Sequence, residues 1–198
     1  MKENERISSL TPSEWAQVRN KYHILNKGMD LEIAAKTLFE VDEILKFLNV
    51  RYFISCGTAL GFYRDGEFIS WDDEIDIDIH SEVFAPQLEK IREVFIDHDF
   101  VARATFRGAT SKMAVFKNGI KVAMGAVYDG GDGYRHTKDL KCPNKFYDNA
   151  ENFIFCGRDF LIPAPIEEYL SYYYGNWKIP IKSYNPDEYI NMSNELIK

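Results

Sequence analysis

The chain has 198 residues, 45% of them hydrophobic and 28% charged, with a formal net charge of -7. That length buries one sizeable core and leaves little for a second independent unit, so a single domain over residues 1–198 is expected, with its core near 30–180. The acidic balance excludes the clustered basic surface that nucleic-acid binding needs, and no run approaches the ~20 apolar residues of a membrane span. The opening Met1-Lys2-Glu3-Asn4-Glu5-Arg6 lacks the apolar segment of a signal peptide, so a cytoplasmic location with no transmembrane segment is expected. In chain order, Thr11-Pro12-Ser13-Glu14 combines a capping hydroxyl, a proline at the first helical position and a following glutamate, which marks a helix start. Ile33, Ala34, Leu38, Val41, Ile44, Leu45 and Leu48 recur at spacings of three and four, which predicts a helix over 30–48. Residues 51–56 are aromatic and β-branched and run into Gly57-Thr58, a strand entering a turn from which a helix can restart.

Residues 74–79 alternate acid and isoleucine. A strand there sends Glu74, Asp76 and Asp78 to one face and Ile75, Ile77 and Ile79 to the other, the apolar set pointing inward. A helix is predicted over 82–98 from Leu88, Ile91, Val94 and Phe95. Residues 113–117 and 120–128 flank Asn118-Gly119, the dipeptide best suited to a tight hairpin turn. The glycine-rich Asp129-Gly130-Gly131-Asp132-Gly133 opens a polar stretch to about residue 152, expected as a long surface loop. A small hairpin around Gly157-Arg158-Asp159 and a helix over 166–174 ending at Gly175 follow, and the tail beyond Pro180 is polar. Three cysteines, Cys56, Cys142 and Cys156, lack paired spacing and are expected as free thiols.

Three carboxylates on one strand face repel one another, which raises their pKa values and costs stability unless a cation compensates. A hard divalent ion resolves the conflict. Mg2+, or Mn2+ in its place, takes oxygen ligands at about 2.0–2.1 Å from one or two carboxylates and completes its shell with water and substrate phosphate. The bland alternative is a solvated edge strand with its acids in water. Against it stands an ordered series: a strand, Gly57-Thr58, Arg64, then Trp71-Asp72-Asp73-Glu74-Ile75-Asp76.

Gly57-Thr58-Ala59-Leu60-Gly61, Arg64, Phe68-Ile69 and Trp71-Asp72-Asp73-Glu74-Ile75-Asp76 resemble the signature of the LicD and fukutin-related family. Ile162-Pro163-Ala164-Pro165, Glu168-Tyr169-Leu170 and Tyr174-Gly175-Asn176-Trp177 resemble its C-terminal motif, so the likeness spans roughly residues 30–180. The resemblance implies an α+β, nucleotidyltransferase-like fold, a mixed β-sheet flanked by helices. It also implies a transferase that moves phosphocholine or a polyol phosphate from a nucleotide-activated donor, such as CDP-choline or CDP-ribitol, to a sugar or glycan acceptor. Residue by residue, it implies that Gly57 and Thr58 open a helix whose N-terminal amides face the donor phosphate, that Glu74 and Asp76 hold the metal, that Asp72 is an accessory acid and that Arg64 clamps phosphate. Glu74 stands where the family usually has aspartate. The family also places a further aspartate on the later strand as the base, whereas residues 120–128 hold no acid, which leaves Asp129, just past the strand end, or Asp78, on the face of Glu74 and Asp76. Two alternatives remain open: transfer of a nucleoside monophosphate by the same metal face, and a nucleotide-binding relative without turnover.

Among other residues, His80 is expected to be structural. Arg135, His136 and Lys138 are expected in a loop that could meet acceptor or pyrophosphate. Trp71, Trp177 and Tyr172-Tyr173-Tyr174 are expected in packing rather than base stacking.

Overall fold

A computed structural model of the chain describes residues 13, 16, 17, 20, 28–137 and 140–182. Of the expected first helix start, Thr11, Pro12 and Glu14 lie outside the described residues, as does Lys138, while Ser13 is helical. The first full element is α1 (Leu31–Phe47), capped by Asp30, whose Oδ1 accepts from the amides of Glu32 and Ile33 at 3.1 Å each. Strand β1 (Tyr52–Ile54) leads through Ser55 into α2 (Cys56–Arg64), and after a loop come β2 (Ile75–His80) and α3 (Ser81–Asp97). β3 (Val101–Thr105), a single 3-10 turn (Gly108–Thr110), β4 (Lys112–Lys117) and β5 (Ile120–Asp129) follow. The chain continues through β6 (Tyr134–His136), β7 (Lys141–Pro143), a short α4 (Lys145–Asp148), the hairpin of β8 (Glu151–Phe155) and β9 (Arg158–Ile162), and α5 (Ile166–Tyr174).

The main sheet runs β1-β2-β5-β4-β3, with β6 added to the end of β5 and β7 to β6. It is mixed: β2 and β5 are parallel, and the other pairings are antiparallel. Asn118 and Gly119 turn β4 back on β5 with φ of 52° and 83°, the positive angles expected of that dipeptide. Ile75, Ile77 and Ile79 join Leu38, Val41 and Leu45 of α1 and Phe84, Leu88, Ile91 and Phe95 of α3 in one core. That face of β2 is therefore dry, and removal of apolar surface from water stabilises it. The C-terminal motif packs elsewhere: Tyr169, Tyr173 and Trp177 are buried around α2, and the Arg64 guanidinium donates to the Trp177 carbonyl at 3.3 Å. These aromatics are packing residues.

Two segments differ from the sequence expectation. β3 carries Arg103 and Thr105 on one face and little apolar alternation, so periodicity alone does not reveal it; pairing with β4 makes it a strand. The expected loop over 129–152 contains β6, β7 and α4, elements of three or four residues fixed by tertiary contact, with Phe146 and Tyr147 buried. Cys56, Cys142 and Cys156 are free thiols. Among the described residues no helix is long and apolar enough to cross a membrane.

Candidate active site

The site begins where β1 gives way to α2. Ser55 N donates to the Asp76 carbonyl at 3.2 Å, which extends the β1–β2 pairing by one residue, and Cys56 then takes φ 45°, a left-handed conformation rare for a side-chain-bearing residue. This sharp turn aims the Gly57 amide at β2, while the Cys56 amide donates to the Tyr169 hydroxyl at 3.1 Å. Gly57 N donates to Asp76 Oδ2 at 3.2 Å, and the Asp76 amide donates to the Thr58 hydroxyl at 2.9 Å. Gly57 also has a steric reason: a Cβ there would stand 2.5 Å from Asp72 Oδ2 and 3.5 Å from Asp76 Oδ2. Two carboxylates that lie either side of a chain bend thus converge over one glycine at a helix N-terminus, where the helix dipole favours negative charge.

Glu74 lies one residue before β2, and Lys121 on the neighbouring β5 forms an ion pair with its Oε2. Asp78 shares the cleft face with Asp76 but is enclosed: the Tyr147 hydroxyl donates to its Oδ2 at 2.7 Å, and only 9% of the residue is exposed. The electrostatics follow from this crowding. Burial pushes Asp72 up to about 6, with the charges of Glu74 and Asp73 adding to the shift. Asp76 is pushed well above the usual carboxylate range, first by burial and then by Glu74, Asp72 and Asp78, while Lys121 opposes the rise. Burial holds Asp78 at about 6 against the Tyr147 bond and the nearby Ser55 hydroxyl, whose geometry falls short of a full hydrogen bond.

Asp76, Asp78 and Glu74 line an open cleft of about 410 Å³. Most of the rest comes from β3, β4 and β5, including Arg103, Lys112, Lys121, Ala123 and Gly125. Among the described residues no group of three or more histidine, cysteine, aspartate or glutamate side chains forms a ready metal cage. The donor set nonetheless fits a hard cation held by one or two carboxylates with water and phosphate in its remaining positions, because the oxygens that converge there are carboxylate and Lys121 is the cation that offsets their mutual repulsion at Asp76 and Glu74.

Of the residues singled out from sequence, Gly57, Thr58, Asp72, Glu74, Asp76 and Asp78 come together. Two do not. Asp129 sits six residues beyond Ala123, the partner of Asp76, so roughly 20 Å of strand separates them. It is exposed and accepts from Gly131 N at 2.8 Å, closing its own turn. Arg64 lies seven residues along α2 from Gly57, about 10 Å down the helix axis, and is paired with Asp65 at 2.7 Å. It stabilises the junction with Trp177 instead of facing the carboxylates. Arg135 and His136 also lie at the far end of β5, engaged with Glu82 and Asp132. Sequence reading missed Tyr147, Lys121, Arg103 and Lys112. Period-two alternation within the predicted hairpin places Lys121 opposite the buried Val122 and Met124, but that β5 lies beside β2 is a tertiary fact.

Comparison with known proteins bears on the family and the fold. The family described as "LicD/FKTN/FKRP, nucleotidyltransferase domain" matches residues 49–165, from the start of β1 to the end of the β8–β9 hairpin and the turn after it. The chain is 25% identical over 170 residues to mouse "Ribitol-5-phosphate transferase FKTN" and 26% identical over 165 residues to the human protein of that name. In each case the match covers 78% of this chain and 34% of the relative, so the chain spans about a third of the length of these relatives. The solution structure of the antibiotic-resistance factor ANT(2'')-Ia is similar in fold, with a TM-score of 0.52 at 15% identity over 81% of this chain and 80% of that one.

Proposed function

The chain belongs to the LicD/FKTN/FKRP family, whose nucleotidyltransferase domain it carries, and from that premise we propose that it is a metal-dependent transferase. It moves a phospho-head group, phosphocholine or a polyol phosphate such as ribitol phosphate, from a CDP-activated donor to a sugar or glycan hydroxyl. The observation that carries this reading is the convergence of Asp72 and Asp76 over Gly57, beside a cleft large enough for a phosphate ester. The similarity to ribitol-5-phosphate transferases supports the choice of a phospho-head group as the moiety moved.

Asp76, with Asp72 and Glu74, would hold Mg2+ or Mn2+, which when bound supplies neutralisation of the charge that develops on the phosphoryl oxygens. The Gly57 amide fixes the Asp76 carboxylate, and Lys121 holds Glu74, so both acids are oriented before substrate arrives. Asp78 lines the same cleft with its pKa at about 6, which suits a group that must accept a proton near neutrality. In the proposed step the acceptor oxygen bonds to the head-group phosphorus, its proton passes to Asp78, and the bond to the bridging oxygen of CMP breaks. None of the cleft-facing β5 positions, Lys121, Ala123 and Gly125, offers a carboxylate that could replace Asp78.

Product mass after incubation with Mg2+, CDP-ribitol or CDP-choline and a panel of sugars tests this. Release of CMP together with an acceptor heavier by the phospho-head group is expected. An acceptor heavier by CMP, or no turnover of any CDP donor, contradicts it.

A further inference from the structure

The sheet register sets two rows of side chains next to one another on the cleft face. One runs from Asp76 through Ala123 and Ala114 to Arg103, crossing from β2 over β5 and β4 to β3. The other runs from Asp78 through Gly125 and Lys112 to Thr105. All eight residues line the cleft. Strands in a sheet are about 4.8 Å apart, so the Lys112 backbone lies about 10 Å from that of Asp78, and Arg103 about 14 Å from Asp76. Between the acids and the bases the positions are Ala123, Ala114 and Gly125, which leave a shallow trough. A ligand lying in that trough meets carboxylate oxygens at one end and a guanidinium, an ammonium and a hydroxyl at the other.

A guanidinium fork and an ammonium at the end of a trough form a phosphate-recognising pair, the first by bidentate hydrogen bonds and the second as a point charge. Their placement on two adjacent, paired strands fixes the backbone positions from which both side chains reach the end of the trough. The chain as a whole is acidic, so attraction for an anion must come from such a local group.

We propose that Arg103, Lys112 and Thr105 form a phosphate subsite separate from the carboxylate face, which takes a substrate phosphate other than the one under attack. The role of the subsite in transfer rests on the transferase reading above; its affinity for phosphate does not. The phosphate has two possible sources, the second phosphate of the donor and a phosphate carried by the acceptor sugar, and the chemistry of recognition is the same for both.

Calorimetric titration of glucose 6-phosphate, glucose and CDP, each with EDTA and with Mg2+, separates these ideas. Wild type is compared with Asp76→Asn, with the double variant Arg103→Gln/Lys112→Gln, and with the charge-keeping Arg103→Lys/Lys112→Arg, all checked for an unchanged melting temperature. Glucose 6-phosphate is expected to bind without metal while glucose does not. The double Gln variant loses at least about tenfold in affinity, the charge-keeping variant retains most of it, and Asp76→Asn retains all of it. Displacement of glucose 6-phosphate by CDP assigns the subsite to the donor, and simultaneous binding assigns it to the acceptor. Glucose 6-phosphate affinity that is undetectable, unchanged in the double Gln variant, or wholly dependent on Mg2+ and Asp76 overturns the proposal. If Mg2+-dependent CDP binding persists in that case, the transferase reading stands without the subsite. If metal-free phosphate binding is found but no Mg2+-dependent CDP binding, the subsite stands and the transferase reading falls.

Discussion

The two faces of β2 are built from the same six residues of backbone and do opposite things. Ile75, Ile77 and Ile79 are at most 1% exposed and lock the strand onto α1 and α3. Asp76 and Asp78, between them, point into the cleft with their carboxyl groups forced toward the protonated form. One face stabilises the fold; the other spends part of that stability to keep charges close together and partly out of water. The contrast teaches that the acidic face is tolerated because the apolar face is so well packed, and that the two can be broken separately.

The largest expected effect is on chemistry. Asp76→Asn keeps the shape of the side chain and removes the central charge, so transfer falls by roughly 10³-fold, equivalent to several kcal/mol of lost charge stabilisation, while the melting temperature holds or rises. Initial-rate measurements beside thermal melts check both halves. Ile77→Ala does the reverse: it opens a cavity in the core and costs about 2–5 kcal/mol in denaturant unfolding, with Mg2+ affinity retained in whatever fraction stays folded.

Acidity sharpens the comparison further. Asp72 and Asp78 have folded pKa values of about 6, above the ordinary carboxylate value of 3.8. The folded state therefore prefers their protonated form, so stability is fully present below pH ~4 and is lost as pH rises through ~6, by roughly 2–3 kcal/mol for each group. Unfolding of metal-free protein between pH 4 and 7 checks this against Asp78→Asn, in which the Asp78 share of the decline disappears. Adding Mg2+ at pH 7 restores stability in the wild type. Gly57→Ala, which drives a methyl group into Asp72, lowers Mg2+ affinity about tenfold by displacing one carboxylate, as calorimetry reads directly. Smallest of all, Asp129→Asn changes turnover less than about twofold, since that residue lies far from the cleft.

Much of the acidic face was legible in the sequence because a period of two needs no tertiary information: alternation alone separates Asp76 and Asp78 from their isoleucine neighbours. Gly57-Thr58 was legible for a similar reason, an aromatic and β-branched strand that runs into a glycine turn. What stayed hidden depends on which strands become neighbours. Lys121 reaches Glu74 only because β5 runs parallel to β2, a pairing across more than 40 residues of chain. Tyr147 reaches Asp78 from a segment that reads as polar loop, since a four-residue helix and three-residue strands carry too little pattern to announce themselves. The distance of Arg64 was hidden for the converse reason: its place in the motif is close to Gly57 in sequence, but the length of α2 carries it away from the carboxylates.

The most direct test of the central claim is titration of CDP-choline and CDP-ribitol into the purified chain, with and without Mg2+, for wild type and Asp76→Ala. Binding that requires Mg2+ and disappears in Asp76→Ala is the predicted result. Binding indifferent to both Mg2+ and Asp76, or none with either ligand, would contradict the account and return the acidic face of β2 to a structural role.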